Sequence, residues 1–287
     1  MKSKLLALYG LKYNPFLPDV PIGALYSHPK LENFCWRIEH SFIREGGFAL
    51  VSGDPGMGKS VALRLLAERL KSVRDVQVGI VSHPTARLSD FYRELGDVFG
   101  VSLSAHNRWH SFKNLRERWL HHVESTLLRP VLFIDEAQEM PMTVLNELRL
   151  LTSTQFDSRL LLSVILAGDQ RLNDKLRRDE LLPLGGRIRV RFNAEYASTE
   201  QLMQCLQHLL TDAGNPQLMT KDLMQTLCDH SMGNYRVLCT MANELLAVAE
   251  QQEKGQIDEK LYLECFAVPA PSRKPRTQNI ITGGDHG

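Results

Sequence analysis

The chain has 287 residues, of which 43% are hydrophobic and 23% charged, with a formal net charge of +1. That length suits about two domains with a sizeable core, and the charge balance excludes global basicity as a ground for nucleic-acid binding. No apolar run approaches the ~18 residues of a membrane span, and the apolar stretch after Met1 is too short for a signal peptide, so a chain without a membrane span is expected.

In chain order, residues 1–45 form an entry segment with turn signals at Asn14-Pro15, Leu17-Pro18 and His28-Pro29, then a predicted helix over 29–44. Phe48 to Ser52 reads as a short buried strand, and Val61 to Leu70 has the apolar spacing of an amphipathic helix. A second strand is expected over Val76–Val81 and a helix over 89–99 with Ser89 as its N-cap. A longer helix is predicted from Trp109 to Leu128, a strand from Val131 to Ile134, and a helix from Pro141 to Leu151. Strands follow at Leu160–Ala167 and Ile188–Phe192. Alternation of strands and helices predicts a parallel sheet covered on both faces.

The pattern then changes. Ser198-Thr-Glu-Gln201 is a capping box that opens a helix to about Asp212, broken by Gly214-Asn-Pro216. Further helices are predicted over 221–231, 235–252 and 258–266. The expected division is an α/β domain over 1–195, a helical subdomain over 196–266 and a disordered tail over 267–287, which has few apolar residues to bury. Cys35, Cys205, Cys228, Cys239 and Cys265 are odd in number, lack a C-x-x-C and fall mostly in helical patterns. They read as reduced core residues, and a cytoplasmic location follows as an expectation.

Between the first strand and its helix lies Gly53-Asp54-Pro55-Gly56-Met57-Gly58-Lys59-Ser60, a complete G-x-x-x-x-G-K-[ST] phosphate loop. Glycines let successive N–H groups turn toward a polyphosphate, and the helix beginning near Val61 adds its positive end. Lys59 is expected to reach the β/γ-phosphates of ATP and Ser60 to hold Mg²⁺. About 75 residues on, the apolar strand Val131–Ile134 ends in Asp135-Glu136, where ligands bind in parallel sheets. Asp135 is the second candidate for Mg²⁺. Glu136 is the candidate that orients the attacking water, which implies hydrolysis as well as binding.

Two stretches are locally basic. Residues 171–191 hold seven basic side chains against three acidic ones, and residues 102–122 hold Arg108, Lys113, Arg116 and Arg118 against Glu117. Arg108, Lys113 and Arg116 are candidate contacts to DNA phosphates, with a solvated helix face as the plain alternative. Trp109 and Trp119, at helical spacing, suit a core or an interface better than base stacking.

The chain resembles the AAA+ ATPases, an α/β nucleotide domain followed by a helical lid, and within them the ExeA/GspA and TnsC/TniB group. The resemblance rests on Tyr9-Gly-Leu-Lys-Tyr-Asn-Pro-Phe16, the segment Glu45 to Ser60, Asp135-Glu-Ala-Gln138, Glu147-Leu-Arg-Leu-Leu-Thr152, Ile165-Leu-Ala-Gly168 and Gly233-Asn-Tyr-Arg236. It implies a P-loop NTPase fold, a three-layer parallel sheet with a C-terminal helical lid. It also implies that Asp169 stands at the sensor-1 position, with Gln170 as the alternative, and that Arg236 is the sensor-2 arginine. Tyr235 departs from the group's proline. Arg187, in Gly185-Gly-Arg-Ile-Arg-Val-Arg191, resembles the group's arginine finger, although alternation of Arg187, Arg189 and Arg191 also suits the exposed face of an edge strand. By the same resemblance the chain is expected to self-assemble with ATP, bind double-stranded DNA and regulate a transposase. An ATPase assisting type II secretion assembly is the alternative.

Overall fold

Apolar runs that end at once in glycine or carboxylates become the inner strands of one sheet. The computed structural model describes residues 2–103, 107–155 and 158–266; the tail expected over 267–287 lies outside the described residues. After a first helix, α1 (Lys2–Tyr9), and an irregular entry, Pro29 opens α2 (Pro29–Arg37). Proline suits a first helical position, and His28 caps the helix, its Nδ1 accepting from the Leu31 N–H at 3.4 Å. The backbone stays helical through a π turn at Ile38–Phe42 and α3 (Ile43–Glu45), close to the predicted span of 29–44.

The α/β part follows as β1 (Gly47–Gly53), α4 (Lys59–Lys71), β2 (Val76–Val81), α5 (Leu88–Phe99), α6 (Arg108–His121), β3 (Arg129–Ile134) and α7 (Met142–Leu151). Then come a small hairpin of β4 (Ser153–Thr154) and β5 (Arg159–Leu160), β6 (Ser163–Gly168), α8 (Gln170–Leu176), α9 (Leu182–Gly185) and β7 (Ile188–Ala194). The five long strands lie in the order β2-β3-β6-β1-β7, all parallel. Alternate residues of each inner strand enter opposite cores. Phe48, Leu50, Leu132, Ile134, Val164 and Leu166 pack with α5, α6 and α7. Ala49, Val51, Val131, Phe133, Ile165 and Ala167 pack with α2 and α4. Each such side chain contributes about 1.5–3 kcal/mol on burial, which is why strands apolar on both faces sit at the centre.

β7 is an edge strand. Val190, Phe192 and Ala194 turn inward, while Arg189, Arg191 and Asn193 are exposed. Arg187 precedes it and is half-buried, so it does not belong to that exposed row.

Three local expectations are corrected. Ser89 is not a cap: α5 begins at Leu88 after Arg87, whose extended backbone supplies the cap position with no side-chain bond. The helix predicted to Leu128 leaves α geometry at His121 for a π turn over His122–Thr126 and ends at Leu127, in the left-handed region at φ 57°. The strand predicted from Leu160 starts at Ser163, because the Leu161 N–H donates to Thr152 O and holds residue 160 in the hairpin. Trp119 is fully buried and packs edge-on against Phe99, as a core residue, whereas Trp109 is exposed and stacks on Phe112.

Beyond β7 the chain is helical: α10 (Thr199–Ala213), α11 (Lys221–His230), α12 (Tyr235–Gln251) and α13 (Glu259–Phe266). Both halves of the Ser198/Gln201 capping box are formed, and Gly214 closes α10 in the left-handed region at φ 107°. Their shared core takes in Tyr9, Leu11 and Phe16 from the entry segment. Lys12 N–H donates to Ala213 O at 2.8 Å, Asn14 Nδ2 donates to Asn243 Oδ1 at 2.8 Å, and Val20 and Leu25 join the core under the sheet. The entry segment therefore ties the helical part to the α/β part. Among the described residues, no helix is long and apolar enough to cross a membrane.

Candidate nucleotide-binding site

The glycine loop leaves the carboxyl end of β1 and runs into α4. Gly56 and Gly58 have φ of 87° and 89°, in the region that favours glycine, so the chain reverses within a few residues. A Cβ at Gly56 would stand 2.2 Å from Asn234 Oδ1, so this position also permits close approach of the lid. The loop delivers Lys59 as the first residue of α4, a 13-residue helix whose opening N–H groups have no partner within the helix. Lys59 is buried, and its Nζ donates to Gly53 O at 2.8 Å and Asp54 O at 3.0 Å. The ammonium thus lies folded back inside the loop.

Ser60 Oγ donates to Asp135 Oδ2 at 2.8 Å, joining the two motifs across 75 residues. β3 and β1 flank β6, so the sheet order places both strand ends on one rim. Asp135 Oδ1 accepts from the Glu136 N–H at 2.9 Å. Glu136 stands in the left-handed region (φ 51°, ψ 39°) at the head of a short 3-10 turn, Ala137–Glu139. Its Oε2 accepts from Nε2 of the buried Gln138.

The sensor-1 expectation is reshaped. Asp169 caps α8, with Oδ1 accepting from the Arg171 N–H at 2.9 Å and Oδ2 from Arg171 Nε at 2.9 Å. The Arg171 guanidinium beside it holds the Asp169 carboxyl below the usual carboxylate range. Asp169 is an acceptor committed to Arg171, which in turn pairs with Glu139 at 2.9 Å. The alternative, Gln170, is exposed, and its Nε2 donates along its own helix to Asp174 Oδ1 at 3.3 Å. Gln138 reaches this junction instead, its Oε1 accepting from the Asp169 N–H at 3.3 Å.

The lid closes on three consecutive loop residues. Tyr196 Oη donates to Asp54 Oδ2 at 3.0 Å, Asn234 Nδ2 to Pro55 O at 3.1 Å, and the Arg236 N–H to Gly56 O at 3.3 Å. The Arg236 backbone therefore touches the loop while the residue is exposed. Met57 is buried beneath the loop in the core under the sheet, and Val61 packs partly against the same core. Arg187 Nη1 donates to Arg149 O at 3.1 Å, across from the site on the last turn of α7.

The basic helix face is less free than its sequence suggested. Arg108 Nε donates to Oε1 of the buried Glu147 at 3.1 Å, and Tyr92 Oη donates to the same carboxylate. Arg116 Nη2 donates to Ser153 O at 2.9 Å, and its guanidinium lies over the Phe112 ring. Lys113 pairs with Glu117, one turn on, at 3.6 Å, and both are exposed. Sequence reasoning assigned no role to Gln138, Asn234 or Tyr196. The first two stood inside quoted motifs, but their partners lie 31 and 179 residues away.

The donor set fits a magnesium nucleoside triphosphate: one ammonium, a helix N-terminus, and a hydroxyl joined to a carboxylate as hard oxygen ligands. The fold is that of the AAA+ P-loop NTPases. Residues 43–176 match the family model AAA_22, the AAA domain. Within that class the chain is similar to General secretion pathway protein A. It is 27% identical to General secretion pathway protein A of Aeromonas hydrophila over 245 residues, covering 84% of this chain and 44% of that one. The chain thus spans less than half the length of that relative. Among solved structures, Cdc6p of Pyrobaculum aerophilum superposes with a TM-score of 0.67 at 17% identity, over 85% of this chain and 67% of that one. The Aeropyrum pernix ORC1 protein in complex with DNA gives a TM-score of 0.60 at 16% identity, over 86% and 67%. At these identities the two structures speak for the fold alone.

Proposed function

We propose that this chain binds and hydrolyses ATP with Mg²⁺, and that copies of it assemble when ATP is bound. The observation that supports the reading is the Ser60–Asp135 hydrogen bond, which joins the end of the glycine loop to the carboxylate after β3, next to the buried Lys59. In this reading the backbone of residues 53–61 wraps the phosphates, and Lys59 swings from the Gly53 and Asp54 carbonyls to the β/γ-phosphates. Ser60 and Asp135 hold the cation, which when bound offsets the negative charge that builds on the phosphate oxygens. Glu136 orients a water whose oxygen bonds to the γ-phosphorus as the bridging P–O bond breaks toward ADP. Asp169 acts through Arg171 and the Gln138 contact rather than by donating to phosphate. Arg236 reports the γ-phosphate to the lid, and Arg187 serves a neighbouring copy's site as arginine finger.

We assign residues 1–195 to the nucleotide domain and 196–266 to the lid, with the entry segment bridging them. Glu136→Gln tests the hydrolytic half. Binding of ATP should persist while phosphate release falls by about 10²-fold or more; undiminished turnover would remove Glu136 from the role.

For the work this switch performs, we propose DNA-bound assembly that recruits or activates a transposase. Support comes from the exposed Lys113 and Arg118 on α6. An ATPase assisting type II secretion assembly is the second reading, favoured by the similarity to General secretion pathway protein A. DNA binding measured with ATP, ADP and no nucleotide across a salt series separates them. Salt-sensitive, ATP-dependent, sequence-tolerant binding supports the first reading, and its absence the second.

A further inference from the structure

Glu136 has a fixed neighbour to which neither the phosphate loop nor the Asp135-Glu136 pair assigns a role. Gln138 is buried in the turn that follows Asp135-Glu136, and both ends of its amide are engaged. The Asp169 N–H can only donate, so the oxygen end of the amide faces it, at 3.3 Å. That leaves Nε2 to donate to Glu136 Oε2. The turn itself is clamped from α8: Lys175 Nζ donates to Gln138 O at 2.6 Å and to Met140 O at 2.8 Å. The end of β6 makes room, since a Cβ at Gly168 would stand 2.5 Å from Gln138 Oε1. Glu136 meanwhile adopts a left-handed backbone, a conformation that persists in a non-glycine residue only where its surroundings enforce it.

We propose that Gln138 is a positioning residue for hydrolysis. Its amide holds one carboxylate oxygen of Glu136, leaves the other for the attacking water, and makes that geometry depend on the β6–α8 junction. The proposal rests on the reading that Glu136 orients water. It adds a route by which movement of α8, through Asp169 and Lys175, changes turnover without touching the nucleotide.

Q138E is the discriminating variant. It is isosteric and keeps an acceptor for the Asp169 N–H, but offers Glu136 a donor only while the introduced carboxyl is protonated. Steady-state kcat, affinity for a non-hydrolysable ATP analogue with Mg²⁺, and melting temperature are measured from about pH 8 to about pH 5.5, alongside wild type, E136Q and Q138L. The expected result for Q138E is a kcat about tenfold or more below wild type at about pH 8. Its ratio to wild type should rise toward acid pH, with analogue affinity within about twofold throughout. Q138L should lose turnover at every pH, since it restores no donor. Either variant folding like wild type and keeping kcat within about twofold at about pH 8 overturns the proposal; so does a loss in Q138E that is the same at every pH. If Q138E does not fold, Q138L alone decides by the split between kcat and analogue affinity. Wild type that fails to turn over ATP would instead sink the ATPase reading itself.

Discussion

Asn234 joins the lid to the phosphate loop with its two amide ends. Its Oδ1 accepts from the Arg236 and Val237 N–H groups at 3.0 and 3.2 Å, capping α12, while Nδ2 donates to Pro55 O at 3.1 Å. With Tyr196 on Asp54 and the Arg236 N–H on Gly56, the loop is gripped from outside at three successive residues. Any rearrangement of the loop must therefore move the N-terminus of α12.

Two substitutions at Asn234 separate its roles. N234A removes cap and tether together and should cost about 1 kcal/mol, a fall of roughly 2–4 °C in Tm. N234S keeps a capping oxygen but cannot span to Pro55, so it should melt close to wild type. Both should bind ATP more weakly by calorimetry. If N234S binds ATP like wild type, the tether is structural packing and no part of the nucleotide response.

Arg187 lies on the α7 side of the sheet, donating to Arg149 O and set apart from the exposed Arg189 and Arg191. If it serves a neighbour's site, R187A and K59A subunits, each inactive alone, should regain hydrolysis when mixed, because a mixed interface pairs an intact loop with an intact arginine. An arginine finger is worth about 10³–10⁵ in rate, so partial recovery is measurable. No recovery at any ratio contradicts the assignment.

The basic face of α6 predicts two different kinds of loss. R108A leaves the buried Glu147 carboxylate with fewer donors and should destabilise the fold by about 1–3 kcal/mol. K113A removes an exposed ion pair and should leave Tm unchanged. If α6 meets DNA, K113A should weaken binding uniformly across sequences and lower the salt slope by about one. An unchanged slope places DNA elsewhere.

What could be read from the chain follows from where each partner lies. Val131–Ile134 and Ile165–Ala167 were legible as inner strands because burial on both faces demands apolar residues at every position. The capping box at Ser198 was legible because its two bonds are local. Asp169 carried a local signal too: an Asp before a helical pattern is a cap, and a cap is already engaged. The engagement of Arg108 with Glu147 was hidden, since helix spacing ranks a face but does not show what packs beside it. The Gln138–Asp169 and Asn234–Pro55 bonds depend on sheet order and lid placement, which no window of sequence contains. The π turns after Arg37 and His121 have no pattern of their own that distinguishes them from α-helix.

His28 supplies a pH dependence. Burial lowers its pKa below the ordinary histidine value, with Lys30 adding to the shift. The unfolded chain therefore takes up the proton first, so this contribution is full above about pH 6.5 and is lost as pH falls from there through the folded value. Protonation also removes the Nδ1 acceptor that caps α2. H28N keeps a capping side chain without the titration, so the fall in Tm between about pH 7.5 and pH 5.5 should be shallower than in wild type. Equal slopes would assign the acid sensitivity to other groups, such as His122.

The most direct test of the account is calorimetric titration of ATP with Mg²⁺ into the wild-type chain and into K59A and D135A. The account predicts one site per chain in wild type, loss of most of the affinity in K59A, and affinity in D135A that no longer depends on Mg²⁺. Wild type that shows no heat of binding with Mg²⁺ present, or K59A that binds equally well, would contradict it.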